Sequence, residues 1–551
     1  MIRTRLKEIL DTCFQKGVEG GFWSADAAGA YTLEQPKREG QGDLATNLAL
    51  VVAGREKKNP RAVAAHLVES LAGCPLLAKV EIAGPGFVNL FVRPEVWQSV
   101  LIEVCRQDEG YGLSRAGAGK KVLVEFVSAN PTGPLSVGHG RQAVLGDAIC
   151  RLLVATGHQV TREYYYNDAG RQMRVLAQSV RARYLEQLGV EGHFPEDGYQ
   201  GDYIVAIAKE LLAEHGDGLR DQEDLAPFQV KAERAIFADI NGTLERLAIH
   251  FDSYFNEHSL YDDGYIDAVV AQLRAKGLVY DQDGAVWFKT TELGLDQDRV
   301  IIKSSGEPTY RLPDIAYHQE KFKRGFDWMV NIFGSDHIAT VPDVLAGVRA
   351  LGYDESKITV VLHQFVTLMR DGKQVKMSTR KATYVTLDEL VSEVGPDVVR
   401  FFFLMRKADS QLEFDLDLAT RQSQENPVYY VQYGHARLCS LLRQAAERGL
   451  ALADLATARL ELLVAPEEIG ILKTMAAYPD LLQGAAEELA PHRIIFYLQD
   501  LAGQFHSYYN KHRVISEEEE LSRARLWLVN GLRTVFRNGL VLIGVAAPET
   551  M

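Results

Sequence analysis

The sequence is poor in the features that mark several protein classes. Only five of its 551 residues are cysteine: Cys13, Cys74, Cys105, Cys150 and Cys439. They are scattered, odd in number and form no Cys-x-x-Cys pair. A zinc knuckle or disulfide framework is therefore not expected, and a reducing cytosol is. No apolar run is long enough to span a membrane. Met1 to Leu10 reads as a charged amphipathic start, not a signal peptide. The expectation is a cytoplasmic protein with no membrane partner. Basic charge is not in excess either: 60 Lys and Arg against 74 Asp and Glu leave a net charge of −14. That argues against a generic nucleic-acid coat, while local basic contacts to RNA stay open. No internal repeat or low-complexity segment is present.

What is there is ordinary for a soluble globular chain: 47% hydrophobic and 24% charged residues. The length is too great for one core, so about three to four domains are expected. Residues 1–115 read as an α+β domain. A turn at Gly40 to Asp43 leads into Leu44 to Leu50, which suits a short helix. Ile82 to Val92 reads as a turn into a strand, with Phe87, Asn89 and Phe91 on one face. Residues 118–417 read as an α/β nucleotide-binding domain with a helical insertion near 175–275. Residues 418–551 are all helical. Leu438, Leu441, Leu442 and Ala445 line one helix, and Ile494, Leu498, Leu501, Phe505 and Tyr508 another. Ser516 to Glu519 is a capping box for a last helix that ends before Asn538-Gly539. Tyr430, Tyr433, Tyr509 and Arg513 are candidates for base stacking and phosphate contact.

The chain is organised around Glu125 to Arg171. The run Val122 to Val127 predicts a buried strand. A loop with Pro131 and Pro134 follows, since proline fits neither a helix interior nor a central strand. A helix starts near Gly138 to Arg141, with Leu145, Ala148, Ile149, Leu152 and Leu153 on its apolar face. Gly157 stops it, and Val160 to Tyr166 is a second strand. The helix N-terminus of this βαβ unit favours phosphate. Gly138-x-Gly140-x-x-Ala143, with Glu163 downstream, fits a dinucleotide-binding turn. That turn must follow its strand directly, and here a long proline-bearing loop intervenes. The competing reading is the ATP signature of class I aminoacyl-tRNA synthetases. Ser136-Val137-Gly138-His139 stands where such enzymes carry His-x-Gly-His.

Further along, short strands return at 278–280, 285–288 and 300–302. Pro313 suits a first helical turn, with Asp314 beside it. Met329 to Phe333 and Thr359 to His363 are strands, the first ending in Gly334-Ser335-Asp336-His337. Polar residues after strand ends suggest a site, because ligands bind outside carboxyl strand ends. Asp371 to Thr383 then places four cations within about nine residues. Alone this is a solvated loop. Its Met377-Ser378 also resembles the Lys-Met-Ser-Lys-Ser element of class I synthetases, in the right order behind the first signature.

The sequence resembles arginyl-tRNA synthetases over nearly its whole length. The resemblance is carried by Val124 to Arg141, Tyr164 to Gly170, Thr309 to His318, Gly334 to His337, Val375 to Leu387, Asn426 to Arg437 and the Ala547 to Met551 tail. It implies a class I Rossmann-type catalytic domain between a D-loop-contacting N-terminal domain and an anticodon-binding helical domain. The implied substrates are L-arginine, ATP with Mg²⁺, and tRNA(Arg), with no tightly bound cofactor, no protein metal site, and a monomer as the working unit. Asp314 and Tyr310 are implied for the guanidinium, which demands carboxylates and acceptors in a planar fork. Glu125 and Asn130 are implied at the amino-acid end, with His337 nearby. Ser136, Gly138, His139 and Gly140 are implied under the nucleotide, with Lys376, Met377 and Ser378 at its phosphates. Asn89 and Phe91 join the four C-terminal residues as implied tRNA contacts.

Two positions depart from the family pattern. Ser136 replaces the first signature histidine. Thr379 replaces the second signature lysine, and Gly133 stands where some members carry a compensating lysine. Arg380 or Lys381 is expected to supply that charge, so the expected catalytic residues are His139, Lys376, Arg380 and Lys381. The departures leave a binding-only paralogue open beside the active ligase, with a nicotinamide-dependent oxidoreductase as a third reading.

Overall fold

A computed structural model describes residues 2–36, 38, 40–190, 193–375, 385–450, 452 and 454–551. Strands rich in β-branched and aromatic residues build a five-stranded parallel sheet at its centre. The strands are Lys121–Glu125 (β1), Gln159–Tyr166 (β2), Ser253–Asn256 (β3), Trp328–Gly334 (β4) and Ile358–His363 (β5). Their order is β5-β4-β1-β2-β3, all pairs parallel. The winding direction reverses between β1 and β4, which opens a crevice outside their carboxyl ends.

The helix Val137–Ala155 (α1) follows β1 and its loop. It is buried around most of its circumference, not on one apolar stripe. The expected half-buried face underestimates this because α1 also packs against helices of the C-terminal region. Gly157, at φ +89°, follows its C-cap as anticipated. The 170–246 stretch supplies three packed helices, Gly170–Gln187, Asp202–His215 and Ala226–Arg246. The short edge strand β3 follows them and returns the chain to the central sheet. The helix Arg311–Lys323 (α2) runs between a three-stranded antiparallel meander and β4.

The N-terminal region is a four-stranded antiparallel sheet with helices. Val88, Leu90 and Val92 face its core, so the anticipated Phe87/Asn89/Phe91 alternation is present. Leu44–Thr46 is a strand and not the start of a helix; pairing with Phe87–Val92 overrides local propensity, and the helix begins at Leu48.

Four long helices, including Pro427–Glu447, His492–Lys511 and Glu519–Leu542, form the C-terminal region. The last one departs from the capping-box expectation. It starts at Glu519, its N-cap Glu518 makes no side-chain cap bond, and Ser516 bonds Ser522 instead. It also runs past Asn538-Gly539 to Leu542. All five cysteines are free thiols. Among the described residues, no helix is long and apolar enough to cross a membrane.

Candidate active site

The chain leaves β1 through a strained turn. Val127 and Ser128 have φ of +67° and +43°, and the Ser128 N–H donates back to the Phe126 carbonyl at 2.9 Å. A β-branched residue at positive φ is costly, and such strain clusters at ligand sites. The turn aims Ser128 at its neighbours: Oγ donates to Glu125 Oε1 at 3.1 Å and accepts from the Tyr165 N–H at 3.2 Å.

Ser136 then starts α1 as its N-cap. Its Oγ accepts from the His139 N–H at 3.4 Å, and its own N–H donates to His139 Nδ1 at 3.2 Å. This closes a capping box. Because Nδ1 accepts, the imidazole proton lies on Nε2. Burial lowers the pKa of His139, so the ring is neutral. The free N–H groups of α1 and a neutral donor thus converge on one spot, an arrangement suited to phosphate. An added Cβ on Gly138 would meet no protein atom closer than 3.6 Å, so the space above it is left open. Gly140 differs: its Cβ would lie 2.4 Å from Leu387 Cδ1, so it serves helix packing.

The opposite wall is acidic. In the strand register Asn331, Glu125 and Glu163 lie side by side. The helix α2 presents Asp314, Tyr317, His318, Lys321 and, just past its end, Arg324 toward them, an i, i+3, i+4, i+7, i+10 stripe. Lys321 pairs with Glu125, while Arg324 and Tyr317 hold Glu163. Glu163 is fully buried by these partners and unavailable to a ribose, which removes the dinucleotide-binding reading. Glu257, at the end of β3, accepts from Tyr165 Oη at 2.7 Å and Asn167 Nδ2 at 2.8 Å. Burial raises its pKa. Asp314 makes no side-chain hydrogen bond or ion pair among the described residues. Burial, with Glu125 and Glu257 near, pushes its carboxyl up to about 8. His318 is held neutral by burial, its pKa lowered to about 3.

These walls enclose a cavity of about 750 Å³ at the sheet's switch point. It brings together Glu125, Asn130, Ser136, Gly138, His139, Tyr310, Asp314 and His337 from the sequence reading. Tyr310 stands 79% exposed at the mouth, and His337 stacks on Phe333. Asn130 accepts from the Asn167 N–H and donates to Gln172. Lys376, Met377, Ser378, Thr379, Arg380 and Lys381 lie outside the described residues. The segment after them returns to the site: Val385 lines the cavity, Thr386 bridges Ser136, and the Leu387 N–H bonds the Leu135 carbonyl.

Sequence reasoning missed Glu257, Lys321 and Ser128. The polar stripe on α2 was the available signal for Lys321. Glu257 follows a four-residue strand at the end of a helical stretch, and nothing local marks it.

The tRNA candidates sit elsewhere. Tyr433 and Tyr509 line a groove of about 280 Å³ with Arg437, Arg443, Thr550 and Met551. The Arg437 guanidinium lies 4.2 Å over the Tyr509 ring. Tyr430 packs on His506 outside that groove, and Arg513 is exposed. On the N-terminal sheet Phe91 is half-buried under Lys79, and Asn89 is buried.

Comparison with known proteins agrees along the whole chain. The family model described as the arginyl tRNA synthetase N terminal domain matches residues 1–92. The class I (R) tRNA synthetase catalytic domain matches residues 101–401, and the DALR anticodon binding domain residues 431–551. The arginine–tRNA ligase of Desulfotalea psychrophila is 65% identical over 552 residues, covering 100% of both chains. That of Salinibacter ruber is 52% identical over 94% of this chain and 95% of its own. The Thermus thermophilus arginyl-tRNA synthetase structure shares the fold, with a TM-score of 0.77 at 23% identity and all of both chains covered. With a switch-point cavity that joins a helix N-terminus to an acidic wall, and family matches across all three regions, the chain belongs to the arginyl-tRNA synthetase family of class I aminoacyl-tRNA synthetases.

Proposed function

We propose that this protein is an arginine–tRNA ligase that joins L-arginine to tRNA(Arg) at the expense of ATP. The observation that carries the substrate assignment is the acidic wall. Glu125, Asp314 and Glu257 face one cavity, and Lys321 behind them pairs with Glu125. That surplus of negative charge suits a ligand carrying both a guanidinium and an ammonium.

In this reading Asp314, Glu257 and Tyr310 take the guanidinium, and Glu125 and Asn130 the α-ammonium, with His337 at the rim. ATP enters as its Mg²⁺ complex. Its adenosine lies over Gly138 and its phosphates run from the His139 Nε2–H and the α1 N-terminus toward Lys376, Met377 and Ser378. The arginine carboxylate oxygen attacks the α-phosphorus, an O–Pα bond forms, the bond from Pα to the bridging β-phosphate oxygen breaks, and pyrophosphate leaves. A ribose hydroxyl of the tRNA's terminal adenosine then attacks the activated carbonyl and AMP leaves. No enzyme nucleophile is needed; positioning and charge stabilisation do the work. Arg380 or Lys381 stands in for the second signature lysine. Ser136, where the family's first histidine would be, keeps the helix capped and His139 in one tautomer.

Three regions share the labour: residues 1–115 at the tRNA D-loop through Asn89 and Phe91, residues 118–417 for catalysis, and residues 418–551 at the anticodon through Tyr430, Tyr433, Tyr509 and Arg513. The protein works as a cytoplasmic monomer. Charging of tRNA(Arg) transcript with labelled arginine tests the assignment. Stable charging with arginine, and none with lysine, is expected. Absence of charging while the transcript binds would leave a binding-only protein.

A further inference from the structure

Lys321 is a lysine with no exposed surface and no contact with the cavity. Its ammonium is nonetheless fully engaged. Nζ lies 2.7 Å from Glu125 Oε2, 2.8 Å from Asn331 Oδ1 and 4.0 Å from the centroid of the Tyr317 ring. Asn331 is itself fixed, since Nδ2 donates to His318 Nε2 at 2.8 Å. His318 is fixed in turn, because Nδ1 donates to the Asp314 carbonyl at 2.7 Å and so leaves Nε2 to accept. A chain of hydrogen bonds therefore runs from the helix backbone to one oxygen of Glu125. The other oxygen, Oε1, is held by Ser128, and both Glu125 and Ser128 line the cavity.

We propose that Lys321 is a positioning residue that sets Glu125 for the α-ammonium of the amino-acid substrate, so that the enzyme selects ligands bearing a free α-amino group. The inference rests on the assignment of Glu125 to that ammonium. Lys321 never touches substrate. It occupies Oε2 while Ser128 holds Oε1, which fixes the carboxylate in one rotamer at the cavity wall. It also supplies a cation behind three converging acids. Without it, Glu125 stays buried and loses the charged hydrogen bond that holds Oε2. A carboxylate free to turn is a poorer acceptor for an ammonium, while the guanidinium contacts at Asp314 and Glu257 remain. The loss therefore falls on one end of the ligand only.

The test compares two ligands by calorimetry: L-arginine and 5-guanidinopentanoic acid, which is the same chain without the amine. Wild type, Lys321→Met and Glu125→Gln are titrated with each, and with ATP. Lys321→Met is expected to weaken arginine by about tenfold or more, and to leave the deamino compound and ATP within about twofold of wild type. Equal losses for both guanidino ligands would make Lys321 a structural lysine and overturn the proposal, as would no loss at all. If Glu125→Gln shows the selective loss and Lys321→Met does not, the Lys321 inference fails alone. If Glu125→Gln leaves the ratio unchanged, the ammonium assignment itself fails. Asn331→Ser retains both charges and removes the Oδ1 acceptor of Lys321 together with the donor to His318, so it covers the case in which Lys321→Met does not fold, and the deamino compound controls for its own place in the cavity wall. A smaller loss, again confined to arginine, is expected there, and an unchanged ratio would overturn the proposal.

Discussion

Arginine binding should release a proton from Asp314. Burial, with Glu125 and Glu257 alongside, moves this carboxyl from 3.8 to about 8 in the empty site. Near pH 7 it is then about nine-tenths protonated, and ionising it costs about 1.4 kcal/mol, a tenfold factor. A guanidinium requires the carboxylate, so binding must bear that cost below the carboxyl's pKa and escapes it above. The dissociation constant for arginine should fall about tenfold per pH unit from about pH 6 to pH 8 and then level. Calorimetry in two buffers of different ionisation enthalpy reads the proton directly: about one released per arginine at the low end, and about none above pH 9. Asp314→Asn should weaken binding and flatten the profile. The same shift has a sign for stability. The folded state binds more protons than the unfolded one between 3.8 and about 8, so this group makes the empty protein less stable as pH rises through that window. Arginine should reverse the loss at the upper end. A flat dissociation constant with no proton release would refute the placement of the guanidinium at Asp314.

Other perturbations follow from the same geometry. Glu257→Gln should raise the KM for arginine by about tenfold in pyrophosphate exchange and leave the KM for ATP unchanged. Arg400 is buried between three elements, donating to the Ile543 and Leu247 carbonyls and pairing with Asp147 of α1. Arg400→Ala leaves Asp147 with less compensation, so thermal or denaturant unfolding should show a loss of about 3–5 kcal/mol. Lys376→Ala, and one of Arg380→Ala or Lys381→Ala, should lower the rate of arginine activation by orders of magnitude in single-turnover assays. If neither of the latter two matters, the missing lysine charge comes from elsewhere.

Elements with a strong local pattern were legible. The run before Glu125 is β1, Gly157 ends α1, and Pro313 sits in the first turn of α2. The site residues that follow strand ends were legible too, because strand ends in a parallel sheet mark the crevice. What could not be read depends on distant partners. Lys321 and Glu125 are 196 positions apart, and a lone lysine in a helical pattern reads as surface until its acid is known. Leu44–Thr46 looks helical until Phe87–Val92 pairs with it. The apolar stripe of α1 accounts for one face, whereas Arg141, Gln142 and Asp147 are buried by later segments of the chain. Ser136 shows the converse: a departure from the family pattern at that position is a sound N-cap.

The most direct test of the account is arginine-dependent exchange of pyrophosphate into ATP, with and without tRNA(Arg), using lysine and citrulline as competitors. Exchange with arginine alone among the three is the predicted result, because the acidic wall pairs with a guanidinium and not with the neutral urea of citrulline. Exchange only with tRNA present would add that tRNA completes the site. No exchange in either condition, with the tRNA still bound, would contradict the account and leave Ser136 and Thr379 as substitutions that removed the chemistry.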